Sequence, residues 1–495
     1  MNRNGDKAAS GIRGLDEVLD GGFSRGHVFL LEGQPGAGKT TVGLQFLLDG
    51  ASRGEPCLYI TLSETERELR EGATSHRWEL GGIKVVELLP PESLLEGERH
   101  QSLLYASDLE LGETTQQIFD AVNRENPARL VIDSLSEIRL LAQSSLRYRR
   151  QILTIKHYFA RLGATVLLLD DLTSDATDKT VHSIAHGVIR LEEHAPAYGA
   201  ERRRLRVVKY RGQRYRGGFH DFTIETGGVN VFPRLIAAEH RARAQRVPFS
   251  TGLDRFDSLL GGGVASGSST VILGPAGAGK SLIAVTFVMA ALARGQKAAL
   301  FIFDEELGLL FDRMKAVNID LEAARDAGRL VIEQIDAAEL SPGEFAHRVC
   351  RTVDDTDAKA VVIDSLNGYQ SAMPEENSLI LHIHELLQYL NRRGAATFMT
   401  VAQHGLVGDM QTPVDVTYLA DTVILLRYFE ARGRVRRAIS VVKKRTGRHE
   451  STIREYRVSG RGLELGSPLE QFQGVLRGIP QFTSDMTPLL EGQDH

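Results

Sequence analysis

The sequence predicts a tandem α/β protein: two successive domains, each a mainly parallel β-sheet wrapped by helices and continued by an antiparallel extension. Three observations predict it. Short apolar runs without alternation recur along the chain and read as strands covered on both faces. Longer mixed stretches separate them, as helices crossing between parallel strands require. The whole pattern is also written twice. "GLDEVLDGGFSRGHVFLLEGQPGAGKT", from Gly14, is answered by "GLDRFDSLLGGGVASGSSTVILGPAGAGKS", from Gly252. Lys39 and Lys280 lie 241 residues apart (280 − 39), and the aspartates of the two "VIDSL" stretches, Asp133 and Asp364, lie 231 apart (364 − 133). A chain of 495 residues exceeds what one core holds, and a duplicated domain accounts for its length.

In the first copy "HVFLLEG" (27–33), "PCLYITL" (56–62), "RLVIDS" (129–134) and "TVLLLDD" (165–171) read as strands. In the second, "STVILGP" (269–275), "AALFIFDEE" (298–306), "RLVIEQ" (329–334), "AVVIDS" (360–365) and "ATFMTVAQ" (396–403) do so. "TTVGLQFLLDGASRG" (40–54) and "SLIAVTFVMAALARG" (281–295) have helical length and composition, and each closes on Arg-Gly. After Arg190 and after Leu426, consecutive β-rich runs predict the antiparallel extension of each sheet. The expected boundaries are a first domain over 1–235, a linker over 236–247, a second domain over 248–475 and a flexible tail over 476–495.

Acidic residues outnumber basic ones by five, so no global charge draws the chain to nucleic acid or an anionic membrane. No apolar run approaches the roughly 20 residues that span a bilayer. The N-terminal stretch carries no hydrophobic signal segment. Cys57 and Cys350, far apart in sequence, suggest neither a disulfide nor a cysteine metal site. A cytoplasmic protein is the expectation.

"GQPGAGKT" (33–40) and "GPAGAGKS" (274–281) both fit G-x-x-x-x-G-K-[ST], each after a strand and at the opening of a helix. Gly33, Gly36 and Gly38, with Gly274, Gly277 and Gly279, let successive backbone N–H groups turn around phosphate oxygens at a helix N-terminus. Lys39 and Lys280 would bridge the β- and γ-phosphates of ATP, and Thr40 and Ser281 would hold Mg2+. Asp133 and Asp364, ending apolar strands, suit the carboxylate that supports that metal. Hydrolysis also needs a carboxylate to orient or deprotonate water. Candidates end the second strand of each copy: Asp304, Glu305 and Glu306 in copy two, but only Glu64, after Ser63, in copy one.

With both loops, both "IDSL" aspartates and the stretches "LADTVILLRYFE", "RRAISVVKKR" and "STIREYRV", the chain over residues 10–475 resembles the KaiC family. These are circadian-clock ATPases and autokinases of the RecA superfamily. The resemblance implies tandem RecA-like P-loop domains, a double-ringed homohexamer with ATP between subunits, and a role in signalling through partner proteins. It implies that Lys209 and Arg211, and Lys443 and Arg445, reach the γ-phosphate held by a neighbouring subunit. The basic clusters around those pairs (201–216 and 434–450) then face nucleotide rather than nucleic acid. The family pairs its active carboxylates at the second strand end. Asp304 and Glu305 match that pair, whereas Ser63 replaces the first member in copy one. Gln403 takes a position that senses the γ-phosphate in RecA-like folds, where copy one is expected to carry Asp170 and Asp171. Aligned through "LADTVILL", Thr417 falls at the first phosphoacceptor position and Tyr418 at the second, with Thr412 at another family hydroxyl. Copy one has His182 and Ser183 at the acceptor pair. Two other classes share the core: a RecA/RadA- or DnaB-like DNA-dependent ATPase, and an ATP-dependent scaffold without kinase activity.

Overall fold

The computed structural model describes residues 7–88, 103–172, 180–196, 199–239, 245–303, 305–372, 376–403, 417–460, 462–477 and 481–482. Asp304, Thr412, residues 240–244 of the expected linker and most of the expected tail lie outside them. The chain separates into two compact units, Met1–Arg234 and Leu235–His495. Within the second, Leu235 packs against a core cluster, and the N–H of Ala237 donates to Glu385 Oε2 at 2.7 Å. Among the described residues no helix is long and apolar enough to cross a membrane.

The first unit contains β1 (Val28–Gly33), α1 (Lys39–Ser52), β2 (Cys57–Thr61), β3 (Ile83–Glu87), β4 (Arg129–Asp133), β5 (Thr165–Asp171), β6 (Gly187–His194), β7 (Arg202–Tyr210), β8 (His220–Glu225) and β9 (Gly228–Phe232). The second repeats the plan with β10 (Ser269–Gly274), α2 (Lys280–Ala293), β11 (Ala298–Ile302), β12 (Leu330–Gln334), β13 (Ala360–Asp364), β14 (Ala396–Ala402), β15 (Thr422–Ala431), β16 (Arg434–Lys444), β17 (Arg454–Ser459) and β18 (Gly462–Pro468). The strand orders are β3-β2-β4-β5-β1-β6-β7-β8-β9 and β12-β11-β13-β14-β10-β15-β16-β17-β18. Each sheet is parallel up to β6 or β15 and antiparallel beyond, which is the architecture of tandem RecA-like domains.

Every residue of β1, β2 and β10 is buried, as runs without alternation require when helices cover both faces. The edge strand β3, "IKVVE", went unread in the sequence because its exposure alternates and its lysine points to solvent. In the first hairpin of each extension one extra residue breaks the ladder. Val188 faces Lys209 while Ile189 faces Val207, leaving Val208 unpaired as a bulge. Val423 faces Lys443 while Ile424 faces Val441, leaving Val442 likewise.

Arg129 is one of the buried charges at which the units differ. The Arg129 side chain is fully buried on β4 and bonds Glu55 at 2.7 Å, Asp49 at 3.0 Å, and the carbonyls of Ala9 and Phe46. At the same register β13 carries Ala360. Hydrogen bonding from Arg25 and then Arg129 holds the Glu55 carboxyl at about 2, below its ordinary 4.5. Its contribution is therefore present above pH 4.5 and is lost as pH falls toward 2. Replacing Arg129 by Ala takes a buried partner from two carboxylates, leaving Arg25 on Glu55 and Arg53 on Asp49, and is expected to cost the first unit about 3 kcal/mol. Denaturant unfolding followed at Trp78, which lies in that unit, measures the loss. In the variant the cost should also shrink between pH 4.5 and 2.

Two candidate nucleotide sites

Both Gly-rich loops connect a central strand to a helix N-terminus. Gly38 has φ 93° and Gly279 φ 95°, a conformation L side chains rarely adopt. A Cβ at Gly38 would also meet Ile224 Cδ1 of β8 at 2.5 Å. The antiparallel extension thus closes against its own loop. In the second unit the Tyr456 hydroxyl of β17 does the same, donating to the Ala278 carbonyl.

In the first site the buried Lys39 ammonium donates to the carbonyls of Gly33 at 3.0 Å and Gln34 at 2.9 Å, and meets Asp171 Oδ1 at 2.7 Å. Thr40 donates to Asp133 Oδ2 at 3.0 Å, and Tyr59 donates to the same oxygen at 2.6 Å. Burial raises the Asp133 carboxyl above its ordinary range even though Tyr59, Thr40 and Lys39 oppose it. Thr40, Thr41, Glu64, Glu68 and His76 line one cleft. Burial is the main cause that raises the Glu64 carboxyl, and the charges of Asp133, Glu68 and Asp171 add to it. The next helix, Glu66–Ser75, is capped by Thr65 and Glu68, so the Glu64 carboxylate is not its cap.

In the second site Lys280 donates to the Pro275 carbonyl at 2.9 Å, and burial lowers its ammonium's pKa. Asp364 accepts from Thr400. Gly277, Gly279, Lys280, Ser281, Arg313 and Arg437 line a cleft beside the loop. Glu305 pairs with Arg313 at 2.6 Å. Burial raises its carboxyl, Arg313 opposes and Asp364 adds. Glu306 caps the helix Leu307–Lys315 by accepting from the Gly308 N–H, which is a structural role.

One expected correspondence is corrected by register. Leu172 N–H and Gln403 N–H each donate to the last carbonyl of the loop strand, Gly33 and Gly274, both at 3.1 Å. Leu172 is therefore the counterpart of Gln403. Asp171 pairs with Gly33 as Ala402 does with Gly274, one residue earlier. Asp170 is drawn off by Arg139 and Ser136, and burial pushes its carboxyl to about 6. Gln403 Oε1 is buried without a hydrogen-bond partner among the described residues.

The Lys-x-Arg pairs have acceptors in their own units. Lys443 donates to the Thr417 carbonyl at 2.7 Å and Arg445 to that of Tyr418 at 2.8 Å. Lys209 donates to the carbonyls of His182 and Ala185, and Arg211 to that of Ser183. The two patterns superpose His182 on Thr417 and Ser183 on Tyr418. The Tyr418 side chain is 47% exposed, so it is not a core packing residue.

The family model described as "ATPase: KaiC" matches residues 8–236 and again 249–470. The chain belongs to the KaiC family. Curated relatives span nearly its whole length. It is 25% identical over 490 residues to the circadian clock protein KaiC3 of Synechocystis sp., covering 97% of this chain and 95% of the relative. It is 26% identical over 484 residues to the circadian clock oscillator protein KaiC of Thermostichus vulcanus, covering 95% and 90%. To that of Synechococcus elongatus it is 26% identical over 498 residues, covering 95% and 91%. As a KaiC-family ATPase it calls for ATP and Mg2+, and the residues present fit both. Thr40 and Asp133 offer two oxygens hydrogen-bonded to each other beside the phosphate loop, the short oxygen set that magnesium takes when phosphates complete its shell. Sequence reasoning missed Tyr59 and the Asp171 contact, whose positions depend on which strands are neighbours.

Proposed function

We propose that both repeats bind MgATP through Gly33–Thr40 and Gly274–Ser281 and that the chain assembles, with nucleotide, into a homohexamer whose sites lie between subunits. In each repeat the Lys-x-Arg pair of one subunit completes the neighbour's site. Glu64 serves the first site as the base that orients water, and Glu305 with Asp304 serves the second. Asp133 and Asp364 support the metal held by Thr40 and Ser281. That metal, when bound, neutralises charge developing on the phosphate oxygens. Gln403 reports the γ-phosphate from the second site's strand end. The protein acts in cytoplasmic signalling through partner proteins.

We further propose that the second repeat is a serine/threonine autokinase with Thr417 as acceptor. The observation that carries this reading is the pair of bonds from Lys443 and Arg445 to the carbonyls of Thr417 and Tyr418. If these two cations reach a neighbour's γ-phosphate, the Thr417 hydroxyl is delivered with them. Its oxygen then attacks the γ-phosphorus in line, the bond to the β–γ bridging oxygen breaks, and ADP leaves. The hydroxyl proton passes to Glu305 or Asp304 of the site that holds the ATP. Tyr418 would carry its oxygen several ångströms beyond a threonine's reach and is the weaker acceptor. Phosphopeptide mapping after incubation with MgATP is expected to place the phosphate on Thr417 and to find none in Thr417→Ala. Phosphate persisting in that variant would transfer the role to another hydroxyl, and none in either protein would leave an ATPase without kinase activity.

A further inference from the structure

The two loops are nearly identical in sequence, yet their lysines are solvated by protein in different ways. A lysine ammonium has three donors. On Lys39 they are directed at Gly33 O, Gln34 O and Asp171 Oδ1. Asp171 is held there at both ends. Its strand pairs with β1, and its N–H lies 3.3 Å from Ser136 Oγ. In the second unit Asn367 makes the equivalent contact, accepting from the Ala402 N–H at 2.7 Å. The architecture is thus the same, but the residue at this register is Ala402 and carries no charge.

We propose that Asp171 is a specificity determinant of the first site, an anion built into the chain that competes with the terminal phosphate of ATP for Lys39. The proposal rests on the reading of Gly33–Thr40 as a nucleotide site. In such loops backbone N–H groups cradle the inner phosphates and the lysine reaches the β- and γ-phosphates. ADP keeps the backbone cradle and presents Lys39 with the β-phosphate alone, so it competes with Asp171 for fewer contacts than ATP does. ATP must displace the carboxylate from Lys39 and then lie beside it, and like charges so close repel. The cost falls on ATP more than on ADP, so the first site holds ADP in preference relative to the second.

The test uses the full chain carrying Lys280→Ala, which silences the second loop. Affinities are measured for ADP and for a non-hydrolysable ATP analogue, each with Mg2+ and with chelator. Asp171→Asn, nearly isosteric, is expected to raise the ATP-analogue to ADP affinity ratio about tenfold or more. The reciprocal Ala402→Asp, in a chain carrying Lys39→Ala, is expected to lower it in the second site. An unchanged ratio in Asp171→Asn, with ADP still bound, overturns the competition and leaves the site reading intact. A loss of analogue binding in Asp171→Asn that occurs only with Mg2+ would make Asp171 a metal-side group and also overturn it. Failure of the Lys280→Ala chain to bind either nucleotide overturns the site reading and this inference together.

Discussion

Replacing Glu64 by Gln is expected to remove most ATP turnover by the first site, by about 10²–10⁴-fold, the usual contribution of a positioned general base. The measurement belongs in the Lys280→Ala chain, where second-site hydrolysis does not mask the loss. Glu64 is the only acidic residue offered by the end of β2, since Ser63 cannot take a proton from water at neutral pH. It lines the same cleft as Thr40, and the helix after it is capped by Thr65. Its carboxyl titrates above the ordinary range because it is partly buried among Asp133, Glu68 and Asp171. A base must be ionised, so turnover should fall on acidification through that raised pKa, at a higher pH than an unperturbed glutamate would give. Glu64→Gln should abolish that acidic limb while nucleotide still binds. Undiminished hydrolysis in Glu64→Gln, with Lys280 absent, would remove Glu64 from the role and leave Asp171 or Glu68 to be tried.

Arg211→Ala is expected to slow first-site turnover by about 10³–10⁵-fold, the range of a cation that stabilises charge on a transferring phosphoryl group. A structural loss has to be separated from a catalytic one, because Arg211 also holds the Ser183 carbonyl of its own unit. Mixing separates them. A subunit with Lys39→Ala has an intact Arg211 but no working loop, and an Arg211→Ala subunit has the reverse, with Lys280→Ala in both. If the arginine serves a neighbour, mixed assemblies regain turnover that neither pure protein shows. If mixtures stay as inactive as their parents, the arginine acts within its own subunit or only on folding.

The phosphate loops were legible in the sequence because everything they need is contiguous: a buried strand, glycines at fixed spacing, a lysine and a helix start. The duplication made the aspartates of β4 and β13 legible as well. What lay beyond reach depends on register between strands distant in the chain. Asp170 and Asp171 are adjacent, yet Arg139 takes one and Lys39 the other. The match of Gln403 to these acids failed by one residue, because only the bonds to Gly33 and Gly274 reveal that Leu172 is the counterpart. Arg129 sits at the head of an apolar run with no local sign that Asp49 and Glu55 receive it. The cations of β7 and β16 were recognised by family likeness, but their carbonyl acceptors were not.

The bulges at Val208 and Val442 turn a count of residues into an aim. Along β7, Leu205 and Val207 face the core; past the extra residue it is Tyr210 that is buried. Odd positions point inward before the bulge and even positions after it, so Lys209 and Arg211 emerge on the opposite side from Leu205. The same residues run as an unbulged strand would carry Lys209 toward the core and turn Arg211 away from the 182–185 segment, whereas loss of Val208 together with the bulge would leave both facings as they are. The second unit keeps the same phase change, with Lys444 taking the inward place and reaching the carbonyls of Leu260 and Gly263. Where these cations point is thus decided by arithmetic along the strand. A substitution there can remove a charge, whereas straightening the bulge without losing its extra residue would deliver the right charge to the wrong face.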